Sequence, residues 1–260
     1  MTSLTPYSDV NAVLHDFEEH IQAILGGQFI GIYVYGSLAV GDFDTNGSDI
    51  DFAVVTDGEI NDECFVALDT MHRQFAESGS RWAEKIEAAY LPRGALNHSA
   101  PTSARYPQLE KGRGFAREPL EIGWPFQRHT LREYAVIVSG PDPRTLIDPV
   151  PLEDMRRAAV AIIAGWLDQA HHDPDWLTWV RHREAQAFVV LTLCRILAVL
   201  GSGEIASKPA AAHWAQTMLG PRWTALIERA LAGQHIEGNA PDSDVDDTIS
   251  LIEYVLSEIS

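Results

Sequence analysis

The stretch YGSLAVGDFDTNGSDIDFAVV (residues 35–55) decides the fold of this 260-residue chain. It ends in an apolar run, and IDFAVVT (50–56) predicts a β-strand because it is rich in β-branched and aromatic residues. FIGIYVYG (29–36) has the same character and predicts an earlier strand. Between the two strands, Gly36-Ser37 predicts the start of a helix, where backbone N–H groups and the Ser37 hydroxyl are suited to binding a phosphate.

Two carboxylates stand at the start of the second strand. Asp49 and Asp51 are two residues apart, so a strand would point both side chains to one face and Ile50 and Phe52 to the other. Two negative charges held that close repel each other unless a cation lies between them. Magnesium prefers oxygen ligands and binds through one or two carboxylates plus substrate phosphates. The pair therefore predicts a site for a metal–nucleotide complex, although an isolated Asp-x-Asp is more often a solvated strand edge.

The order of strand, Gly-Ser, short helix, Asp-x-Asp and strand resembles the signature of the DNA polymerase β-like nucleotidyltransferases. That resemblance implies two metal ions, held by Asp49, Asp51 and a third carboxylate from a neighbouring strand. Glu87 is the candidate for the third, because KIEAAYL (85–91) predicts a strand in which its neighbours are apolar. Glu84, just before that strand, is the rival. The alternative interpretation of Glu87 is a surface carboxylate on an edge strand.

The first part of the chain mixes predicted helices and strands. Apolar residues at helical spacing predict a helix over 8–25, with Ser8 as its N-cap and Gly26-Gly27 as its end. A second helix is predicted over 61–78. Residues 92–126 hold five prolines and read as loop-rich, and residues 133–140 fit either a strand or part of a helix.

The character changes at the turn-rich segment 140–151, which predicts a linker. Beyond it, apolar periodicity predicts five helices, separated by segments such as HHDPDW and GSG that are typical of loops. The five are 152–169, 183–200, 207–218, 221–233 and 244–259. The predicted fold class is α+β: an N-terminal nucleotidyltransferase domain with a mixed sheet (1–150) and a C-terminal all-α helical bundle (151–260).

The net charge of −18, from 37 acidic and 19 basic residues, narrows the range of partners. Nucleic-acid binders need basic surface to neutralise phosphates, so we expect no nucleic-acid partner. An acidic surface attracts a cationic small molecule or simply confers solubility. Cys64 and Cys194 are the only cysteines, which indicates free thiols in a reducing compartment. With no recognised signal peptide or membrane-length apolar run, we expect a cytoplasmic monomer without a membrane partner.

The C-terminal half suggests a narrower family. FVVLTLCRILAVLGSGEIASKPAAAHWA (188–215), with DPVP (148–151) and LIEYVLSEI (251–259), resembles the bacterial aminoglycoside adenylyltransferases that modify streptomycin and spectinomycin. Members of that family transfer AMP from ATP to a hydroxyl of the drug and release pyrophosphate. The resemblance implies ATP as co-substrate, two Mg²⁺ ions, a cationic small-molecule acceptor, and a substrate cleft between the two domains.

The same resemblance assigns roles to individual residues. Asp49, Asp51 and Glu87 match the catalytic and metal-binding carboxylates, with Glu87 as the general base. The positions that match nucleotide-binding residues are Gly36, Ser37, Ser48, Arg195, Lys208 and Tyr254. The positions that match or replace acceptor-binding residues are Trp124, Trp166, Asp175 and Glu184. Glu184 departs from the family pattern. The family has a further aspartate at the position that is Ala185 in this chain, and Glu184 is its neighbour.

Two other functions remain open at this point. One is the same chemistry on another acceptor, either a small metabolite or a protein side chain, since the acceptor-binding positions match less well than the metal-binding ones. Alternatively, the chain is a catalytically inactive nucleotide-binding module. The presence of all three carboxylates together with Ser37 and Lys208 argues against the second alternative.

Overall fold

A computed structural model describes residues 3–97, 104–234 and 236–260 of the chain. The chain divides into two compact units, Met1–Val150 and Pro151–Ser260, which we call unit 1 and unit 2. Unit 1 contains a mixed β-sheet with helices, and unit 2 is helical. The α+β fold class predicted from the sequence is therefore confirmed.

The part of unit 1 that the structure describes is built on a six-stranded sheet. Its strands are β1 (Phe29–Val34), β2 (Ile50–Thr56), β3 (Ile86–Pro92), β4 (Arg105–Glu110), β5 (Gly114–Pro119) and β6 (Val136–Ser139), in the spatial order β5-β4-β3-β2-β1-β6. β2 and β3 pair in parallel, whereas the other neighbours pair antiparallel. The parallel pair lies in the middle of the sheet, where both faces are covered.

The two faces of the sheet are covered by different helices: α1 (Ser8–Leu25), α2 (Gly36–Ala39), α3 (Asp62–Ala76) and α4 (Trp124–Tyr134). Apolar side chains of α1 and α3, including Phe17 and Leu68, pack with Phe52 on one face. Trp124 and Leu131 of α4 pack on the other face with a cluster that includes Ala53 of β2. Alternation along β2 explains the division, because successive strand residues point to opposite faces.

Three details of unit 1 differ from the sequence prediction. Residues 105–119 form the β4–β5 hairpin, inside the segment that we expected to be loop-rich. Pro107 is compatible with β4 because β4 pairs with β3 only at Gln108 and Leu109, so the missing proline N–H breaks no bond of that ladder. The N-cap of α1 is Tyr7 rather than Ser8, with no side-chain capping bond. Within 133–140, α4 ends at Tyr134 and β6 begins at Val136.

A buried histidine makes unit 1 sensitive to acid. His72 of α3 is 4% exposed, its Nε2 lies 2.7 Å from the Tyr90 hydroxyl, and burial lowers its pKa to about 3. The unfolded chain binds a proton on His72 near its ordinary pKa of 6.5, but the folded chain does not until the pH is far lower. The free energy of unfolding therefore decreases as the pH falls from about 6.5 towards 3. This one group contributes a loss of up to about 1.4 kcal/mol per pH unit.

We expect that removing this pair will weaken the acid sensitivity. Between pH 7 and pH 5 the wild type should lose about 2 kcal/mol more of its free energy of unfolding than the double variant His72→Phe/Tyr90→Phe. The double variant removes both polar groups and so leaves no buried partner unsatisfied. Urea unfolding at the two pH values measures the difference. An equal pH dependence in both proteins would show that His72 does not carry the effect.

The described residues of unit 2 form six helices rather than the five predicted. They are α5 (Leu152–His172), α6 (Pro174–Val180), α7 (Arg183–Ser202), α8 (Lys208–Leu219), α9 (Pro221–Gly233) and α10 (Asp242–Ile259). The additional helix, α6, begins in the DPDW segment that we interpreted as a loop. Asp173 is its N-cap and accepts bonds from the N–H groups of Asp175 and Trp176, while Pro174 occupies the first turn. Both features are typical of a helix start. We interpreted the segment as a loop because it contains a proline.

The core of unit 2 is α7, which packs against α8, α9 and α10. Among the described residues, α7 is the one helix long and apolar enough to cross a membrane, a property that we did not identify in the sequence. In the most apolar 18-residue segment of α7, 61% is buried inside the protein. Buried core helices of globular domains can be equally long and apolar.

Candidate active site

The parallel pairing of β2 with β3 brings two of the predicted carboxylates together. Asp51 is the direct register partner of Glu87. Adjacent strands run about 4.8 Å apart, so the two residues are cross-strand neighbours. Both share a sheet face with Ala53, two residues beyond Asp51, which is the face that α4 covers. Glu84, the rival candidate, lies in a turn before β3 and is exposed.

The turn from β1 into α2 packs directly against Asp51. The Tyr35 N–H donates to the Asp51 carbonyl at 2.9 Å. Gly36 has φ +64°, and a Cβ added there would lie 2.0 Å from Oδ2 of Asp51. Only glycine can therefore combine this backbone conformation with this approach to the carboxylate.

The two serines near the turn have different surroundings. Ser37 lies in the four-residue helix α2, half-buried, and its carbonyl accepts from the Asp42 N–H at 2.9 Å. Ser48 closes the loop before β2: its hydroxyl accepts from the Asp44 N–H at 3.0 Å, and its own N–H donates to the Asp44 carbonyl at 2.8 Å. Ser48 thus has a structural role in presenting Asp49.

Lys111, which the sequence analysis missed, contacts two of the three carboxylates. It lies in the turn of the β4–β5 hairpin, and its Nζ is 3.3 Å from Oδ1 of Asp49. Its backbone N–H donates to Glu87. The signal was present as KGRG (111–114), because Gly112 and Gly114 both have φ of +76°, a conformation that hairpin turns use. The five prolines around this segment concealed the hairpin.

Burial and negative charge dominate the electrostatics of the site. Burial raises the pKa of Glu87, as does the charge of Asp49, while the hydrogen bond from Lys111 opposes the shift. Burial also raises the pKa of Tyr35 well above its ordinary value, with further contributions from Asp51 and Glu87. Tyr35 is therefore a neutral phenol, and Glu87 is a stronger base than an exposed glutamate.

A cavity of about 300 Å³ opens beside Glu87. Its walls include Tyr35, Glu110, Glu121 and Trp124. Trp124 begins α4, is 4% exposed, and has an indole N–H with no hydrogen-bond partner among the described residues. The cavity is thus lined by carboxylates and aromatic rings next to the proposed base.

The donor chemistry fits magnesium. Asp49, Asp51 and Glu87 offer only carboxylate oxygens, and the ammonium of Lys111 already binds Asp49 as a cation. No group of three His, Cys, Asp or Glu side chains within the described part of the chain is placed to hold an ion. Since Mg²⁺ commonly takes one or two carboxylates and completes its shell with phosphates and water, a paired arrangement is compatible with it.

The other predicted site residues lie in unit 2. Trp166 of α5 packs edge-on against Phe188 at 6.1 Å between ring centroids, and Tyr254 of α10 packs against Trp223 at 5.9 Å. Asp175 and Glu184 are exposed in the first turns of α6 and α7. Two further residues are half-buried, Arg195 in the middle of α7 and Lys208 at the start of α8.

Comparison with known proteins follows the same division. Residues 18–92 match the family model of the nucleotidyltransferase domain, and residues 145–257 match that of the aminoglycoside adenylyltransferase C-terminal domain. An aminoglycoside (3'')(9) adenylyltransferase of Klebsiella pneumoniae is 26% identical, over 98% of this chain and 94% of its own. A spectinomycin 9-adenylyltransferase of Campylobacter jejuni is 25% identical, over 92% and 91%.

The fold also matches a solved structure. The spectinomycin adenyltransferase of Enterococcus faecialis, crystallised with ATP and spectinomycin, superimposes with a TM-score of 0.71 at 18% identity, covering 96% of this chain and 99% of that one. The nucleotidyltransferase match contains Gly36, both aspartates and Glu87, and the second match spans nearly all of unit 2. The chain therefore combines a nucleotidyltransferase domain with an aminoglycoside adenylyltransferase C-terminal domain, and it is an adenylyltransferase.

Proposed function

We propose that this enzyme transfers AMP from ATP, with Mg²⁺, to a hydroxyl of a cationic aminoglycoside-type antibiotic. Streptomycin is the first candidate acceptor and spectinomycin the second. The observation that carries the proposal is the register of Asp51 with Glu87, beside a cavity lined by further carboxylates. The relatives named above act on aminoglycosides or spectinomycin and match this chain over more than nine-tenths of its length.

In this proposal Asp49, Asp51 and Glu87 would come together around two Mg²⁺ ions, which would supply positive charge to neutralise the triphosphate. Glu87 takes the proton of the acceptor hydroxyl. The oxygen so activated forms a bond to the α-phosphorus, the bond from that phosphorus to the β-phosphate oxygen breaks, and pyrophosphate leaves. Burial raises the pKa of Glu87, so its carboxylate is a stronger base than an exposed one.

Further residues bind the two substrates. The residues that we propose for the nucleotide are Gly36, Ser37, Ser48, Arg195, Lys208 and Tyr254. The residues that we propose for the acceptor are Trp124, Trp166, Asp175 and Glu184. The net charge of −18 favours a cationic acceptor and disfavours a nucleic acid. We expect the enzyme to act as a monomer in the cytoplasm, where its two cysteines stay reduced.

Mass spectrometry tests the acceptor directly. With ATP and Mg²⁺, we expect streptomycin to gain one AMP, with release of one pyrophosphate. Parallel reactions contain spectinomycin, a cell extract, or EDTA in place of free Mg²⁺. Loss of the product with EDTA is expected, because EDTA removes the Mg²⁺ that the three carboxylates are proposed to bind. If a component of the extract receives AMP and both drugs stay unmodified, the acceptor is another molecule and not one of these antibiotics.

A further inference from the structure

The cavity beside Glu87 has an excess of negative charge. Of the basic residues in its wall, Arg113 pairs with Glu110 at 2.8 Å, and Lys111 pairs with Asp49, which is not part of the wall. Glu87 and Glu121 have no ion pair with any described residue. Glu87 accepts the Lys111 N–H, and Glu121 interacts electrostatically with Glu110 and Arg113. The wall thus contains three carboxylates and two basic groups, and the Arg113 charge that acts on Glu121 is shared with Glu110.

The environment of Glu121 makes this excess costly. Partial removal from water raises the pKa of Glu121, and the charge of Glu110 raises it further, while Arg113 opposes the shift. Glu121 lies at the end of the segment before α4, and the residue itself remains exposed. A ligand that carries a positive charge would therefore reach Glu121 from solvent and remove the repulsion.

Trp124 provides an independent sign of a ligand. Its indole N–H is buried and unpartnered among the described residues, although buried donors are nearly always hydrogen-bonded. The same residue lines the cavity with its aromatic ring. A ligand with an oxygen acceptor and a cationic group would satisfy the N–H and gain from the ring.

The size of the cavity limits what it holds. Its volume of about 300 Å³ is at the lower end of the range for small-molecule sites. It suits one sugar ring or one charged substituent rather than a whole aminoglycoside. Glu87 is part of the same wall, so a group held there lies beside the proposed base.

We propose that this cavity is a cation subsite of the acceptor, in which Glu121 binds a protonated amine or guanidinium and the Trp124 N–H binds an acceptor oxygen. This inference rests on the proposed function. It makes Glu121 a specificity-determining residue: it selects acceptors with a positive group close to the hydroxyl that is modified. Glu121 takes no part in proton transfer or in nucleotide binding.

The variant Glu121→Gln tests the subsite, because it keeps the shape of the side chain and removes its charge. We expect KM for streptomycin to rise about 10- to 100-fold, the range for one lost charge-assisted hydrogen bond, with a much smaller change in kcat and none in KM for ATP. Glu118→Gln is the matched control. Glu118 lies three residues earlier in β5, pairs with Arg105 at 2.9 Å and does not line the cavity, so the KM of this variant for streptomycin should equal that of wild type.

Binding measured without catalysis separates this inference from the proposed function. Calorimetry with streptomycin alone should show an increase in Kd for Glu121→Gln that matches the increase in KM, and a smaller increase for Trp124→Phe, which keeps the ring and loses the N–H. If streptomycin binds in a Glu121-dependent way but receives no AMP, the subsite stands and the proposed function fails. Equal affinities in wild type and Glu121→Gln, or no binding to wild type, would overturn the subsite.

Discussion

The variant Glu87→Gln should lower kcat for AMP transfer by about 1,000-fold, since general-base catalysis contributes a factor of this order. Glutamine keeps the shape of the side chain and still accepts the Lys111 N–H, but it cannot take a proton. Asp51→Asn should have an effect at least as large, because Asp51 is the register partner of Glu87 and the proposed magnesium ligand. Steady-state release of pyrophosphate with saturating ATP and acceptor measures both.

Glu84→Gln is the control for this prediction. Glu84 is a carboxylate of the same segment, but it is exposed and precedes β3, so we expect wild-type kcat. Circular dichroism and urea unfolding should be unchanged in all three variants, because none of them alters the apolar packing of the sheet. Full activity in Glu87→Gln, or a large loss of activity in Glu84→Gln, would show that Glu87 is not the general base.

The second large effect is expected from Gly36→Ala. The added Cβ would lie 2.0 Å from Oδ2 of Asp51, on a backbone with φ +64° that an L-residue adopts only with strain. Either the carboxylate or the turn must move, and we expect kcat/KM for ATP to fall at least about 100-fold, as a displacement near 1 Å can cost. Calorimetry should show weaker Mg²⁺-dependent ATP binding as well.

Gly41→Ala separates the clash from the backbone strain. Gly41 has φ +73°, but nothing lies within 4 Å of a Cβ added there. This variant should lose about 1–2 kcal/mol of stability from strain and keep the catalytic parameters of wild type. If the two alanine variants lose activity equally, the contact with Asp51 is not the reason why glycine is needed at position 36.

The centre of unit 1 was predictable because its signals are local. IDFAVVT and KIEAAYL are strongly β-forming runs, and they form β2 and β3 within one residue of the expected bounds. The family resemblance is confirmed by the two domain models and the curated relatives. The roles of individual residues, including those of Asp49 and Lys208, stay predictions.

The β4–β5 hairpin shows why the rest was not predictable. Its strands contain Pro107 and Pro119 and alternate poorly, so propensity favoured a loop. What stabilises it is non-local: pairing with β3 and packing of Phe115 on Phe65 of α3 at 4.9 Å. Lys111 and Glu110 reach the site only because that hairpin folds back, and Glu121 follows directly after it. Spacing along the sequence contains no information about such an approach.

The parallel pairing of β2 with β3 also determines when the site comes into existence. Asp51 and Glu87 lie on strands that are joined by the whole of α3, and contacts across such a crossover form slowly compared with local helices. A chain in which only α1 and α3 have formed therefore has no site, since neither strand carries both carboxylates. We therefore expect a chain whose sheet is incomplete to have no AMP-transfer activity, because turnover requires β2 and β3 to be paired.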